Sequence, residues 1–480
     1  MLFNSYLFIF LFLPLALVAY FRMCAVSHRL GVYTLIMASL LFYACFDVRY
    51  IALVLGSILF NYAVSHALAA LPGGAASRRR LALATLGVAF NLGLLGYYKY
   101  TDFFITNVNA VLGSSYALQH IFLPLGISFF TFQQIGYVVD VYKGENTPPH
   151  ISEYAIFVLF FPHLVAGPIV HNREIIVQFQ DHGLKTPRWD NLYAGATLFC
   201  VGLFKKVALA DTFAAYVSPG FEAAAPHFFL AWGASLAYTM QIYFDFSGYS
   251  DMAIGLARMF NIKFPQNFNA PYRALDIQDF WRRWHMTLSR FLRQYLYIPL
   301  GGNRKGPSRT LVNLFATFAL GGVWHGASWC FVAWGAMHGA GVVAHRLWSR
   351  KGLRLPRPVA WLVTFLFVNF AWVFFRARTW EAALAMLRGM FGLSGVQVPE
   401  RFASLARVLP GVHVGGGPFV VDALVLGVVL LALVEIGLRH YQDLIERHLP
   451  GGLRPASYAA LFLVAIVCGN RISEFIYFQF

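Results

Sequence analysis

Charge is scarce in this chain. Asp, Glu, Lys and Arg make up 12% of its 480 residues, about half the share of roughly 25% usual in soluble domains. A soluble protein of this length could not cover its surface with so few charges. The five cysteines contain no Cys-x-x-Cys pair and lie mostly in apolar runs, so neither a disulfide framework nor a metal site is expected from them. There is no His-Glu-x-x-His motif and no Cys/His cluster, which argues against bound metal. There is no Gly-x-Ser-x-Gly elbow to expose a nucleophilic serine. Low-complexity tracts and repeats of the transporter kind are also missing.

Apolar residues are abundant, at 59% hydrophobic and 17% aromatic. The composition predicts an all-α polytopic membrane protein in contact with the lipid bilayer. Stretches of spanning character fall near 5–21, 31–46, 50–71, 81–98, 121–139, 154–170, 191–210, 227–245, 359–375, 419–437 and 457–469, with a broken pair over 311–345. That makes about eleven to thirteen segments. The first has no positive flank before it and no clear small-residue cleavage site, and reads as a retained helix. Three parts are expected within one domain: N-terminal helices over 1–120, a core over 121–345 and C-terminal helices over 346–480.

Lys and Arg number 37 against 21 Asp and Glu, a net +16. They are scattered between apolar stretches, which suits cytoplasmic loops beside anionic headgroups and not nucleic acid. Arg22 and Arg29 mark the first loop, and Arg78, Arg79 and Arg80 the third. Positive-inside counting places both in the cytoplasm and the N-terminus outside.

The stretch 277–297 departs from the spanning pattern. As one helix it gathers Ile277, Phe280, Trp281, Trp284, Leu288, Phe291, Leu292 and Tyr295 into an apolar arc of roughly 120°. Arg282, Arg283, Arg290 and Arg293 fall opposite, so the helix is expected to lie along the interface. His285 sits at the edge of the arc.

The segment from Leu311 to about Ala344 lies between two basic loops, so it should enter the membrane and return, breaking at Gly321-Gly322-Val323-Trp324-His325-Gly326. A straight helix from Arg309 rises roughly 24 Å by His325, which is membrane depth. Irregular backbone there must be buried in protein or line a wet cavity. The flanking glycines would let a substrate approach His325, a residue type suited to general base work. The bland alternative is a core histidine bonded to a carbonyl. Other ionisable groups in apolar stretches read as structural. Lys205 and Lys206 would snorkel, His163 would satisfy backbone freed by Pro162, Glu435 lies near a helix end, and His338 is too far from His325 for an i,i+4 metal pair. Asp245 and Asp251 would pair with the arginines of 282–293, or Asp245 would touch substrate.

Several motifs then share one order along the chain. They are Met1–Tyr6, Leu123–Phe130, Gly167-Pro168-Ile169, Tyr243–Asp251, Trp281–His285, Tyr295–Gly302, Gly322–Ala327 and Phe475–Phe478. Together they resemble the membrane-bound O-acyltransferase family, in the branch of the alginate O-acetyltransferase membrane subunits and the D-alanyl transfer proteins of teichoic acids. The resemblance implies a ring of tilted helices around a central tunnel. It puts the family's near-invariant histidine on His325 and its second polar position on His285. It further implies a bacterial inner-membrane enzyme with no permanently bound cofactor. Such an enzyme takes acetyl from cytoplasmic acetyl-CoA and passes it to a polysaccharide acceptor through a periplasmic hydrolase-like acetyltransferase partner. Trp324, Arg282, Arg283, Arg290, Arg293 and Asp245 are the expected substrate-binding residues, with the arginines drawn to coenzyme A phosphates. Acyl transfer from a carrier-protein thioester and a transporter with a histidine relay remain as alternatives, and a homodimer is left open.

Overall fold

The computed structural model describes residues 1–72, 77–398, 412–414, 453–469 and 475–476. The expected segment at 419–437, with Glu435, lies outside them. The described residues are almost wholly helical. The exception is a short parallel pair, β1 (Val396–Val398) with β2 (Val412–Val414). They fall into two units. One comprises Met1–Gly202 with Tyr249–Gln266, and the other Leu203–Gly248 with Asn267–Ile476.

The first unit runs through α1 (Leu13–Val26), α2 (His28–Ala44), α3 (Arg49–Ala70), α4 (Arg78–Leu95), α5 (Thr101–Leu112), α6 (Ile127–Tyr142), α7 (Ile151–Leu159), α8 (Phe161–Leu164) and α9 (Asn172–Gln180), and holds most of α10 (Trp189–Phe204). Its core is aromatic. Phe3 packs on Phe8 and Phe42 at ring separations of 5.0 and 5.5 Å, and Phe12 and Phe42 each meet Phe161 at 5.5 Å. Several polar side chains inside pair with one another, which lowers the cost of burying them. Asn61 and Asn91 exchange amide hydrogen bonds between α3 and α4. His163 bonds Gln133 at 2.9 Å through its own ring, and so does more than satisfy backbone near Pro162. Arg80, expected in a loop, opens α4 instead. Its buried guanidinium donates to Leu68 and Leu71 carbonyls at the end of α3 and to Val141 and Tyr142 carbonyls at the end of α6. Those carbonyls have no partner within their own helices, and a cation there complements the dipole.

The second unit contains α11 (Asp211–Glu222), α13 (Ile277–Arg283), α14 (Met286–Leu292), α15 (Pro307–His325), α16 (Trp329–Arg350), α17 (Arg357–Arg376), α18 (Trp380–Met390) and α19 (Arg454–Cys468), with the first part of α12 (Phe228–Met259). The expected in-and-out segment is the hairpin α15–α16. Its helices, 19 and 22 residues long, rise about 28 and 33 Å. Helix α15 runs unbroken to His325, so the chain leaves regular geometry only at Gly326, later than the glycines predicted. Gly322 faces α16. A Cβ there would lie 2.8 Å from the Cα of Gly335, so the two glycines let the helices touch backbone to backbone. At Gly326 a Cβ would collide with the ring of Phe331. Gly322 and Gly326 thus allow close packing within the hairpin.

Among the described residues, five helical runs are long and apolar enough to cross a membrane: Phe8–Val26, Arg49–Ala70, Arg78–Leu112, Trp189–Glu222 and Arg357–Arg376. Others among the expected segments fold as shorter helices, such as α2 with 17 residues and α6 with 16. The fold is that of an all-α polytopic membrane protein.

Candidate active site

The stretch expected as one amphipathic helix is two. Helix α13 stops at Arg283, the chain turns through Trp284 and His285, and α14 begins at Met286. His285 has φ +44°, ψ +53°. This left-handed geometry costs an L-residue roughly 1–2 kcal/mol. Asn267 offsets it. Its carbonyl accepts from Met286 N at 2.9 Å, and its side-chain Oδ1 accepts from Thr287 Oγ1 at 2.9 Å and Thr287 N at 3.3 Å. Asn267 therefore caps α14 from outside the helix.

The same Oδ1 lies 3.2 Å from His285 Nδ1. The backbone N–H of Thr287 points at this atom, which identifies it as the amide oxygen. An oxygen of that kind only accepts, so His285 Nδ1 carries the proton and Nε2 keeps the lone pair. His338 shows the reverse. Trp281 Nε1, which can only donate, lies 3.2 Å from His338 Nδ1, so the proton of that imidazole sits on Nε2. The two histidines are held in opposite tautomers.

His285 is 1% exposed, with the ring of Phe246 edge-on at 4.7 Å. His325 is 5% exposed, as is Trp324. Its ring meets Trp324 and Trp334 at 4.9 Å and Phe375 at 5.2 Å. A chain of rings joins the two sites. Trp284, next to His285, packs on Trp372 at 5.0 Å, and Trp372 stacks on Trp334 at 5.8 Å. His338 completes the cluster at 4.8 Å from Trp334. An imidazole so enclosed works in a low-dielectric setting, where its dipoles and any charge it acquires act strongly.

The arginines do not share one helical face, because the turn at Trp284–His285 separates them. Arg282 and Arg283 end α13, Arg290 lies on α14, and Arg293 begins a wider π turn. Arg283 bonds Asp279 on its own helix at 2.9 Å. Arg282 and Arg293 are exposed.

Asp245 does not pair with these arginines. Lys206, expected to snorkel, is 1% exposed and holds Asp245 at 2.7 Å and Asp211 at 2.9 Å. Asp245 also accepts from Ile476 N at 3.0 Å, and the ring of Phe475 lies 4.8 Å from the Lys206 ammonium. The charges thus clasp Phe475 and Ile476 to α12. Asn267, Trp334 and Trp372 went unnoticed in the sequence. The one local signal for Asn267 is its place between Pro265 and Pro271, in a segment whose irregular backbone needs side-chain partners. Among the described residues no group of His, Cys, Asp and Glu is arranged to hold a metal.

Residues 142–380, which include both His285 and His325, match the model of the membrane-bound O-acyltransferase family. Over 430 residues the chain is 47% identical to the peptidoglycan O-acetyltransferase of Helicobacter pylori, covering 83% of this chain and 81% of that one. Over 450 residues it is 41% identical to a Pseudomonas aeruginosa protein named "Probable alginate O-acetylase AlgI", with coverage of 92% and 82%. The teichoic acid D-alanyltransferase of Bacillus subtilis is 31% identical over 277 residues, with coverage of 53% and 69%.

Proposed function

The chain belongs to the membrane-bound O-acyltransferase family and is an acyltransferase, and on that premise we propose that it carries acetyl from cytoplasmic acetyl-CoA across the inner membrane to a glycan hydroxyl. The acceptor is an exopolysaccharide or a cell-wall glycan, in keeping with relatives named for alginate and for peptidoglycan. A periplasmic hydrolase-like acetyltransferase partner receives or delivers the group. The basic loops lie on the cytoplasmic side and the N-terminus outside.

In this reading His325 takes the proton of the acceptor hydroxyl as its oxygen attacks the thioester carbonyl. The carbonyl π pair moves onto oxygen, then returns as the C–S bond breaks. The departing thiolate takes the proton from the imidazolium, leaving an ester and a free thiol. His285 assists by presenting its Nε2 lone pair from the second position. Trp324 packs beside the reacting imidazole, and Arg282 and Arg293 attract the donor's phosphates.

The observation that supports this most is the wiring of His285: Asn267 fixes its tautomer so that one nitrogen is a committed donor and the other a base. The test is thiol release from acetyl-CoA by purified protein in vesicles supplied with glycan. Release dependent on both acetyl-CoA and glycan supports the reading. The D-alanyltransferase relatives favour a second reading, transfer of an acyl group from a carrier thioester. Release seen only with a charged carrier would establish it.

A further inference from the structure

A groove of about 880 Å³ lies on the second unit between α16, α17 and the start of α13. Its depth comes from small side chains. Ala340, Gly341 and Ala344 on α16 leave room beside Val363 and Phe367 of α17. Leu353 and Leu355 from the linker extend the apolar wall, and both are exposed, as are Val363 and Trp348 at the rim. Helix α17 is one of the runs apolar enough to span a membrane, and the exposed apolar rim of Trp348, Leu353, Leu355 and Val363 suits contact with hydrocarbon. The volume suits a molecule larger than a solvent cluster.

The polar end of the groove has a definite charge. Arg354 and Arg357 line it and are exposed, and among the described residues neither forms an ion pair. The one carboxylate there, Asp276, is already engaged. It caps α13 by accepting from Asp279 N at 2.8 Å and lies 3.5 Å from His345 Nε2. Two uncommitted guanidinium groups thus stand over an apolar slot. That pattern complements a ligand with hydrocarbon chains and an anionic phosphate.

We propose that this groove is a binding site for an anionic phospholipid, with its acyl chains between α16 and α17 and its phosphate on Arg354 and Arg357. A thioester donor suits the groove less well, because Phe367 forms its inner wall. That ring meets His338 edge-on at 5.6 Å, and Phe367 lines the groove where His338 does not. The site is independent of which acyl group the enzyme transfers.

Native mass spectrometry of the detergent-purified full chain, titrated with phosphatidylglycerol or phosphatidylcholine, tests this. The wild type should retain phosphatidylglycerol in preference. Each arginine near a phosphate contributes about fivefold, so R354Q/R357Q should lose roughly 25-fold of that preference. Ala344→Phe, which fills the slot without altering charge, should reduce retention of both lipids. Where Ala344→Phe does not fold, the arginine double variant decides alone. Undiminished preference in R354Q/R357Q would overturn the proposal. So would displacement of phosphatidylglycerol from the wild type by acetyl-CoA, which would make the groove a donor site.

Discussion

Asn267 Oδ1 accepts from His285 Nδ1 at 3.2 Å and from Thr287 N at 3.3 Å, so one side chain both caps α14 and fixes which nitrogen of His285 is basic. Replacing Asn267 by Ala should therefore have two consequences. Loss of the buried acceptor should cost about 1–3 kcal/mol of stability. The imidazole of His285 should also lose its single tautomer, seen by 15N NMR of labelled histidine as a shift toward mixed Nδ1–H and Nε2–H populations, with turnover reduced at least about tenfold. An unchanged tautomer in the variant would show that another group sets it.

The clasp at Lys206 makes a separate prediction. Lys206→Met leaves Asp245 as a buried carboxylate with, among the described residues, the Ile476 N–H as its remaining hydrogen-bond donor. Breaking a buried pair from one side costs about 3–5 kcal/mol. Adding Asp245→Asn should recover much of that loss, because an amide oxygen can still accept from Ile476 without a buried charge. Thermal unfolding of the single and double variants in one detergent compares them. A single variant as stable as the wild type would contradict the clasp.

Lys185 predicts a pH dependence. It lies between α9 and α10, outside the spanning runs, with its ammonium 3.3 Å from Tyr20 Oη and 5.2 Å from the ring of Phe179. Burial lowers its pKa to about 8, from a usual 10.5. Between those values the unfolded chain binds a proton that the folded chain does not, so Lys185 makes stability rise with pH across the window. Below about pH 8 both states are protonated and the cost of burying the charge is fully present. Lys185→Met should flatten the rise between pH 8 and 10 and raise stability at pH 7. A parallel pair of pH–stability curves would refute this.

Much of this arrangement was legible in the sequence. Basic flanks and a Gly-rich break announced the α15–α16 hairpin, and His325 and His285 stood out as polar residues in apolar surroundings. The continuity of 277–297 was misread because a 3.6-residue period persists in the sequence across Trp284 and His285, while the turn depends on Asn267, 18 residues away. Nothing local to Lys206 says that its second carboxylate partner, Asp245, lies 39 residues further on. The glycines near His325 did signal a close approach, but a glycine does not say what approaches, and at Gly322 and Gly326 it is α16.

The donor side is tested on the two exposed arginines, since Arg283 is engaged by Asp279. Arg282→Glu with Arg293→Glu should raise the KM for acetyl-CoA more than it lowers kcat, the pattern of lost ground-state binding. Added salt should shrink the difference from wild type, because attraction at exposed sites is screened over about 8–10 Å. A fall in kcat at constant KM would instead place these arginines in the chemistry or in folding.

The central claim is that His325, enclosed by Trp324, Trp334 and Phe375, carries the proton transfer. The most direct measurement is acetyl transfer from acetyl-CoA to glycan by the purified His325→Ala protein, with insertion and melting temperature checked alongside. The account predicts a folded, membrane-inserted protein with turnover reduced by at least about a hundredfold. Wild-type turnover in a folded His325→Ala protein would contradict it.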